Sequence, residues 1–248
     1  MGGITVFPDI DYRIKEAVAY FWNTRDRQTG DGGPGGHGNR GAVTGGRQLD
    51  GFTELIKRML VANGVDERHI FLDTKLELPG YYRPSKKWDL LVVDKGRLVT
   101  AVELKSQVGP SFGNNFNNRT EEAVGSASDI WTAYREGVFK DSAPWLGYMM
   151  LLEDCKGSSS PVSVRSPHFD VMEGFEGSSY MKRYEMFCGR LVSERLYNAS
   201  CLITSERNPG DPGNYKVPCG GLSFPKFIAS MLAAVSAHLA GNEWEGWE

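Results

Sequence analysis

Trp88-Asp89-Leu90-Leu91-Val92-Val93-Asp94-Lys95-Gly96-Arg97-Leu98-Val99-Thr100-Ala101-Val102-Glu103-Leu104-Lys105 sets the architecture of this chain. Two runs rich in Leu and Val flank Asp94-Lys95-Gly96-Arg97, a hairpin turn signal. The pattern predicts two paired strands, the second from Leu98 to about Lys105. Glu103 and Lys105 are two apart, so on a strand they share one face. Asp89 lies on the neighbouring strand. Three charged groups therefore gather at one end of an apolar hairpin. Charge in such a place is costly unless it holds a metal or does chemistry.

The flanking sequence builds layers around this hairpin. Asp9 to Trp22 carries Ile10, Ile14, Ala17, Val18 and Phe21 at near-helical spacing. Gln48 to Asn63 predicts a second helix, with Phe52, Leu55, Ile56, Met59 and Leu60 as its buried stripe. Ile70 to Leu78 reads as a strand, and Tyr81 to Trp88 as a basic, aromatic lead-in to the hairpin. Gly109 to Arg119 reads as a polar loop, followed by a helix over Thr120 to Tyr134. Trp145 to Leu152 predicts a buried strand, and Lys156 to Pro167 a loop. Met181 to Tyr197 reads as a helix, Cys201 to Thr204 as a short strand, and Phe224 to Leu239 as a closing helix. The order predicts an α/β fold, a central mixed β-sheet flanked by helices on both faces.

Residues 1–248 read as one domain, with a glycine-rich arm at about 29–46 and an exposed tail at about 242–248. The arm is open to two readings: a disordered linker, or a segment that orders on a partner. His37, Asn39, Arg40 and Arg47 would then supply its polar contacts.

At 40% hydrophobic and 24% charged residues, the composition is that of a soluble globular protein. No apolar run approaches the roughly 20 residues of a membrane helix, and the N-terminus lacks a secretory pattern. The four cysteines, Cys155, Cys188, Cys201 and Cys219, form no CxxC pair. Neither a zinc site nor a disulfide framework is expected, and a reducing cytoplasm is. The net charge of −3 argues against bulk electrostatic binding of nucleic acid and leaves room for a local basic cleft.

Two carboxylates a few ångströms apart repel, and at least one pKa rises unless a cation sits between them. Mg²⁺ suits the pair, since it binds one or two carboxylates and completes its shell with water and phosphate oxygen. The main-chain carbonyl of Leu104 offers a further ligand. Such a metal activates water and stabilises charge on a phosphate. Lys105 would position the attacking water or neutralise charge on the scissile phosphate. The bland alternative is a set of solvated strand ends. It is weakened here because Asp89 and Glu103 both terminate apolar arms of one hairpin.

Asp89 with Glu103-Leu104-Lys105 resembles the PD-(D/E)XK nuclease signature, with Trp88 where that superfamily often has proline. Longer segments resemble the XhoI family of type II restriction endonucleases: Thr44 to Phe52, Leu78 to Asp89, Ala101 to Ser111, and Asn114 to Arg119. The resemblance implies Mg²⁺-dependent cleavage of duplex DNA at CTCGAG, after the first C, leaving a 5′ overhang and a 5′-phosphate. It makes Asp89 and Glu103 metal ligands and Lys105 the catalytic lysine. Glu54 matches the family's additional helix acid, or is a solvated helix residue. Gln107 shares the Lys105 face, and orients the site or contacts the DNA backbone unless it is a surface glutamine.

A palindromic target implies a homodimer, each subunit reading one half-site. Lys86 and Lys87, beside Arg83, are expected on the phosphate backbone, and Asn114, Asn115, Asn117, Asn118 and Arg119 partly on bases. Simple turn chemistry is the other explanation of the asparagine run. A structure-specific repair nuclease on the same fold and a non-catalytic DNA-binding protein are the competing functions.

Overall fold

The computed structural model describes residues 4–30, 47–139, 143–208 and 210–244. Most of the glycine-rich arm, with His37, Asn39 and Arg40, and the last four residues lie outside the described residues. Helix α1 (Ile10–Gly30) is followed by a 3₁₀ turn (Arg47–Leu49) that leads into α2 (Asp50–Ala62). Strand β1 (Ile70–Phe71) comes next, then β2 (Glu77–Pro79), β3 (Ser85–Lys87), β4 (Leu90–Asp94) and β5 (Arg97–Gln107). Helix α3 (Phe112–Arg135), β6 (Trp145–Glu153), a single-turn α4 (Lys156–Ser159), α5 (Tyr180–Ser193), β7 (Ala199–Ser205) and α6 (Phe224–Trp244) complete the chain.

The hairpin forms as its sequence predicts. Lys95 and Gly96 take positive φ, 49° and 74°, the combination a two-residue turn needs to match strand twist. β4 pairs antiparallel with β5, from Leu90↔Val102 to Asp94↔Arg97. A register shift at Val92/Val93 leaves Val99 as an extra residue on β5. β5 then pairs parallel with β6, and β6 with β7, giving the mixed order β1-β4-β5-β6-β7. β2 and β3 form a separate antiparallel ribbon.

The central strands are apolar on both faces because both are covered. On one side, α1, α2 and α6 bury Phe21, Trp22, Phe52, Ile56 and Phe227 against Val92, Val102 and Met149. On the other, α3 and α5 bury Phe116, Ile130, Tyr184 and Phe187 against Leu91, Ala101, Tyr148 and Met150. Phe224–Gly241 of α6 is, among the described residues, the one helix long and apolar enough by composition to cross a membrane. Its Phe227, Ile228, Met231 and Leu232 are instead buried in the core.

Several elements depart from expectation. Gly109 to Arg119 is not a loop beyond Ser111: α3 begins at Phe112. Phe112 and Phe116 are four apart and buried against Tyr180, Tyr184 and Phe187, so tertiary packing overrides the poor helix propensity of four asparagines. Ile70 to Leu78 is two strands in two sheets, split at a bend where Lys75 takes a φ of 58°. α1 runs eight residues past Trp22, and α5 ends at Ser193, short of Tyr197.

Candidate active site

The hairpin ends unevenly, and that exposes the site. β4 begins only at Leu90, opposite Val102, so Glu103 to Gln107 of β5 pair only with β6. Asp89 fills part of the gap. Its N–H donates to the Val102 carbonyl at 3.1 Å. Its carboxylate Oδ2 accepts the Leu104 N–H at 2.7 Å. The N–H and C=O of one strand residue face the same neighbour, so the Leu104 carbonyl faces this open side too.

Glu103 is 1% exposed. Its Oε1 takes Lys105 Nζ and Lys86 Nζ, each at 3.0 Å. Its Oε2 lies 3.1 Å from the Tyr197 hydroxyl, which is also 3.2 Å from the Ala123 carbonyl. Lys86 arrives from β3, with its Nζ 4.3 Å from the centroid of the Trp88 ring.

Burial is the largest influence on each of these groups, and the neighbours decide which way each moves. For Asp89 burial wins, and its pKa lies above the ordinary carboxylate value despite Lys105 and the Leu104 N–H. For Glu103, Lys105 and Lys86 together overcome burial and hold it below the usual value. Lys105 is raised, because Glu103 and Asp89 outweigh its desolvation. Lys86 is lowered, because its desolvation outweighs Glu103. Glu103 is thus the compensated acid and Asp89 the under-compensated one.

A cleft of about 890 Å³ opens beside these groups. Asp89, Leu104, Lys105 and Gln107 form its hairpin wall. Glu54 reaches it from α2 and lies 2.9 Å from Arg58 Nε. Arg47 and Lys87 are exposed on its rim. Asn115 and Arg119, one turn apart at the start of α3, line it as well. Arg119 Nη1 bonds Glu122 at 2.6 Å, while its buried Nε has no hydrogen-bond partner among the described residues. Asn114, Asn117 and Asn118 are exposed on the same two turns and do not line the cleft.

Two residues, Lys86 and Arg83, stand elsewhere than expected, and the open reading of Gln107 narrows. Lys86 does not face solvent: its side chain is 13% exposed and its ammonium is on Glu103. Arg83 is held by Asp129, Nε to Oδ2 at 2.7 Å, while Oδ1 accepts the Tyr81 and Tyr82 N–H groups at 2.8 Å each. Gln107 is no surface residue: at 2% exposed it accepts from the Tyr184 hydroxyl and reaches the Ser111 carbonyl at 3.4 Å.

Tyr197, Asp129 and Gln48 were not picked out from the sequence. Gln48 bridges Arg25 of α1 to the Ser106 hydroxyl of β5, at 3.0 and 2.9 Å. Tyr197 lies 94 residues from Glu103, in a turn after α5, and no local pattern marks it.

A mixed sheet covered by helices, with Asp89 and Glu103-X-Lys105 beside a cleft at a half-paired strand end, fits a restriction-endonuclease-like core. The sequence model of restriction endonuclease XhoI matches residues 27–217. The type II restriction enzyme BstVI of Geobacillus stearothermophilus is 53% identical over 82% of this chain and 93% of its own length. The type II restriction enzyme XhoI of Xanthomonas vasicola is 46% identical over 74% and 76%. AbrI of Azospirillum brasilense, also a type II restriction enzyme, is 47% identical over 65% and 74%. No solved structure matches the chain. The chain belongs to the XhoI family of type II restriction endonucleases. It is a site-specific deoxyribonuclease, of a class that generally uses a divalent metal ion.

Proposed function

We propose that this enzyme hydrolyses duplex DNA at the palindrome CTCGAG, after the first C, leaving 5′-phosphate ends and a 5′ overhang, with Mg²⁺ as cofactor. The observation that carries the chemistry is the convergence of Asp89, Glu103 and Lys105 beside one cleft. The relatives support the target, since one of them is named XhoI.

The donor set fits Mg²⁺. Asp89 is a carboxylate whose charge the protein leaves under-compensated. Glu103 and the Leu104 carbonyl add hard oxygen donors. Among the described residues no three His, Cys, Asp or Glu side chains meet in a metal cluster, so water and phosphate oxygen would complete the shell, as Mg²⁺ prefers. Bound there, the ion supplies an activated water and a positive charge against the phosphate.

The chain's own residues do the rest. Asp89, just ahead of β4, and Glu103 of β5 would hold the ion. Lys105 keeps its proton, because both acids raise its pKa. It donates a hydrogen bond to the attacking water or the scissile phosphate. Gln107 ties β5 to α5 through Tyr184 and to the start of α3 through Ser111, and so fixes where the cleft wall stands. Glu54 lines the same cleft from α2, with Asp50 and Asp73. Lys87, Arg47 and Arg119 neutralise the backbone, and Asn115 with the exposed Asn114, Asn117 and Asn118 faces bases. Arg83 acts indirectly, by setting the ribbon that carries Lys86 and Lys87. Residues 1–248 form one domain, and two copies bind the palindrome as a homodimer, one per half-site.

Digestion of a plasmid of known sequence in Mg²⁺, followed by sequencing of fragment ends, tests target, cut position and chemistry together. Ends at CTCGAG are expected. Discrete ends at another sequence would overturn the target alone. Branch-dependent nicking would point to a repair nuclease, and binding without cleavage to a non-catalytic protein.

A further inference from the structure

Lys86 occupies a place that the proposed chemistry does not use. Asp89 and Glu103 bring two negative charges to the site, and Lys105 and Lys86 bring two positive ones. The site is balanced before any ion arrives. Glu103 also has little spare capacity: both lysines sit 3.0 Å from Oε1, and Oε2 faces Tyr197 in the core. A divalent cation reaching Glu103 from the cleft must share Oε1 or take it.

The two lysines are not equally held. Lys105 stands on the long strand β5 and is paired there with Met150 of β6. Lys86 stands on the three-residue β3, in a ribbon that pairs only with β2. It also has other acceptors: Nζ lies 3.2 Å from the Lys87 carbonyl and 4.3 Å from the Trp88 ring centroid. A lysine stem is flexible, and a cation over an indole face keeps part of its stabilisation. Lys86 is therefore the lysine that can yield.

We propose that Lys86 is the resident counter-ion of Glu103, which a divalent cation displaces, so that free protein holds the cation weakly and DNA-bound protein holds it tightly. This rests on the reading of Asp89 and Glu103 as metal ligands. The charge count explains the coupling: an ion added to the balanced site leaves an excess of two positive charges, and bound phosphates supply the missing negative charge. Lys86 then serves metal loading rather than backbone contact.

Calorimetric titration of the full chain with Mn²⁺ tests it, without DNA and without cleavage. Removing one positive charge about 4 Å from the ion should strengthen binding at least about tenfold in Lys86→Gln. Lys95→Gln, at the far turn of the hairpin, should stay within about twofold of wild type. Wild type loaded with a phosphorothioate CTCGAG duplex should bind Mn²⁺ at least about tenfold more tightly than wild type alone, which tests the proposal even if Lys86→Gln fails to fold. Unchanged or weaker binding in folded Lys86→Gln, or equal affinity with and without duplex, overturns the role of Lys86 and leaves the ligand assignment standing. Tight binding by Lys86→Gln that survives a second change, Asp89→Asn, overturns the ligand assignment and the proposal together.

Discussion

The floor of the cleft and its rim are built on opposite terms. On the floor, Asp89 is held by the Leu104 N–H, and beside it Glu103, buried and not itself lining the cleft, is held by Lys86, Lys105 and Tyr197. On the rim, Lys87 and Arg47 are exposed, and three of the four asparagines at the start of α3 are exposed outside the cleft. Preorganised charge is worth most where a transition state develops, because no reorganisation is needed at that moment. A groove that must accept a duplex gains from side chains free to settle on it. The contrast matches the proposed division, with chemistry at the buried groups and reading at the exposed ones.

Changes on the floor should abolish turnover while leaving the fold. Glu103→Ala is expected to lower the cleavage rate about a thousandfold, the equivalent of several kcal/mol of metal-borne stabilisation. Initial rates on a single-site duplex, with circular dichroism as a control, measure this. Near wild-type cleavage would remove Glu103 from the active site.

The Asp129 clamp sits under the ribbon that joins floor to rim, and its effect should be on stability. Asp129 is buried, and burial alone would raise its pKa. The Tyr82 N–H, Arg83 and the Tyr81 N–H outweigh burial and hold it below the ordinary value of 3.8. A carboxylate lowered on folding stabilises fully above its unfolded pKa and loses that contribution as pH falls through the folded one. Asp129→Asn should thus destabilise by about 2 kcal/mol at neutral pH. The gap to wild type should shrink below about pH 3.8, the ordinary aspartate value. Urea titrations at two pH values give both numbers, and a gap independent of pH would show that the charge is not what holds the ribbon.

On the rim the expected effects are smaller and concern choice. Asn115→Ala should cost about 1–3 kcal/mol of discrimination at one base position, with weaker loss on non-specific DNA. Competition between CTCGAG and single-base variants in Ca²⁺ reads this. Lys87→Gln should weaken binding to all sequences alike and flatten the salt dependence by about one unit of slope. Loss confined to one sequence would make Lys87 a reader of bases.

The hairpin was legible because two strands and a two-residue turn are local, and local pattern encodes them. So were the buried stripes of α1 and α2. The start of α3 was not, because asparagine favours turns while Phe112 and Phe116 find their partners in α5, about 70 residues away. At the site, Asp89, Glu103 and Lys105 could be named from spacing alone. Lys86 could be seen but not placed: a lysine next to a lysine reads as surface, and only the fold brings it to Glu103. Tyr197 and Asp129 carry no local signal, since their importance lies in contacts 94 and 46–48 residues away.

Because β4 begins only at Leu90, the Leu104 amide is closed by a side chain where its neighbours are closed by a strand. Its hydrogen should exchange with solvent whenever the Asp89 carboxylate turns away, without the sheet unzipping. That one amide is a clock on the carboxylate. Read by NMR, it reports how often Asp89 is free to take another partner, in the resting enzyme and before any bond is cut.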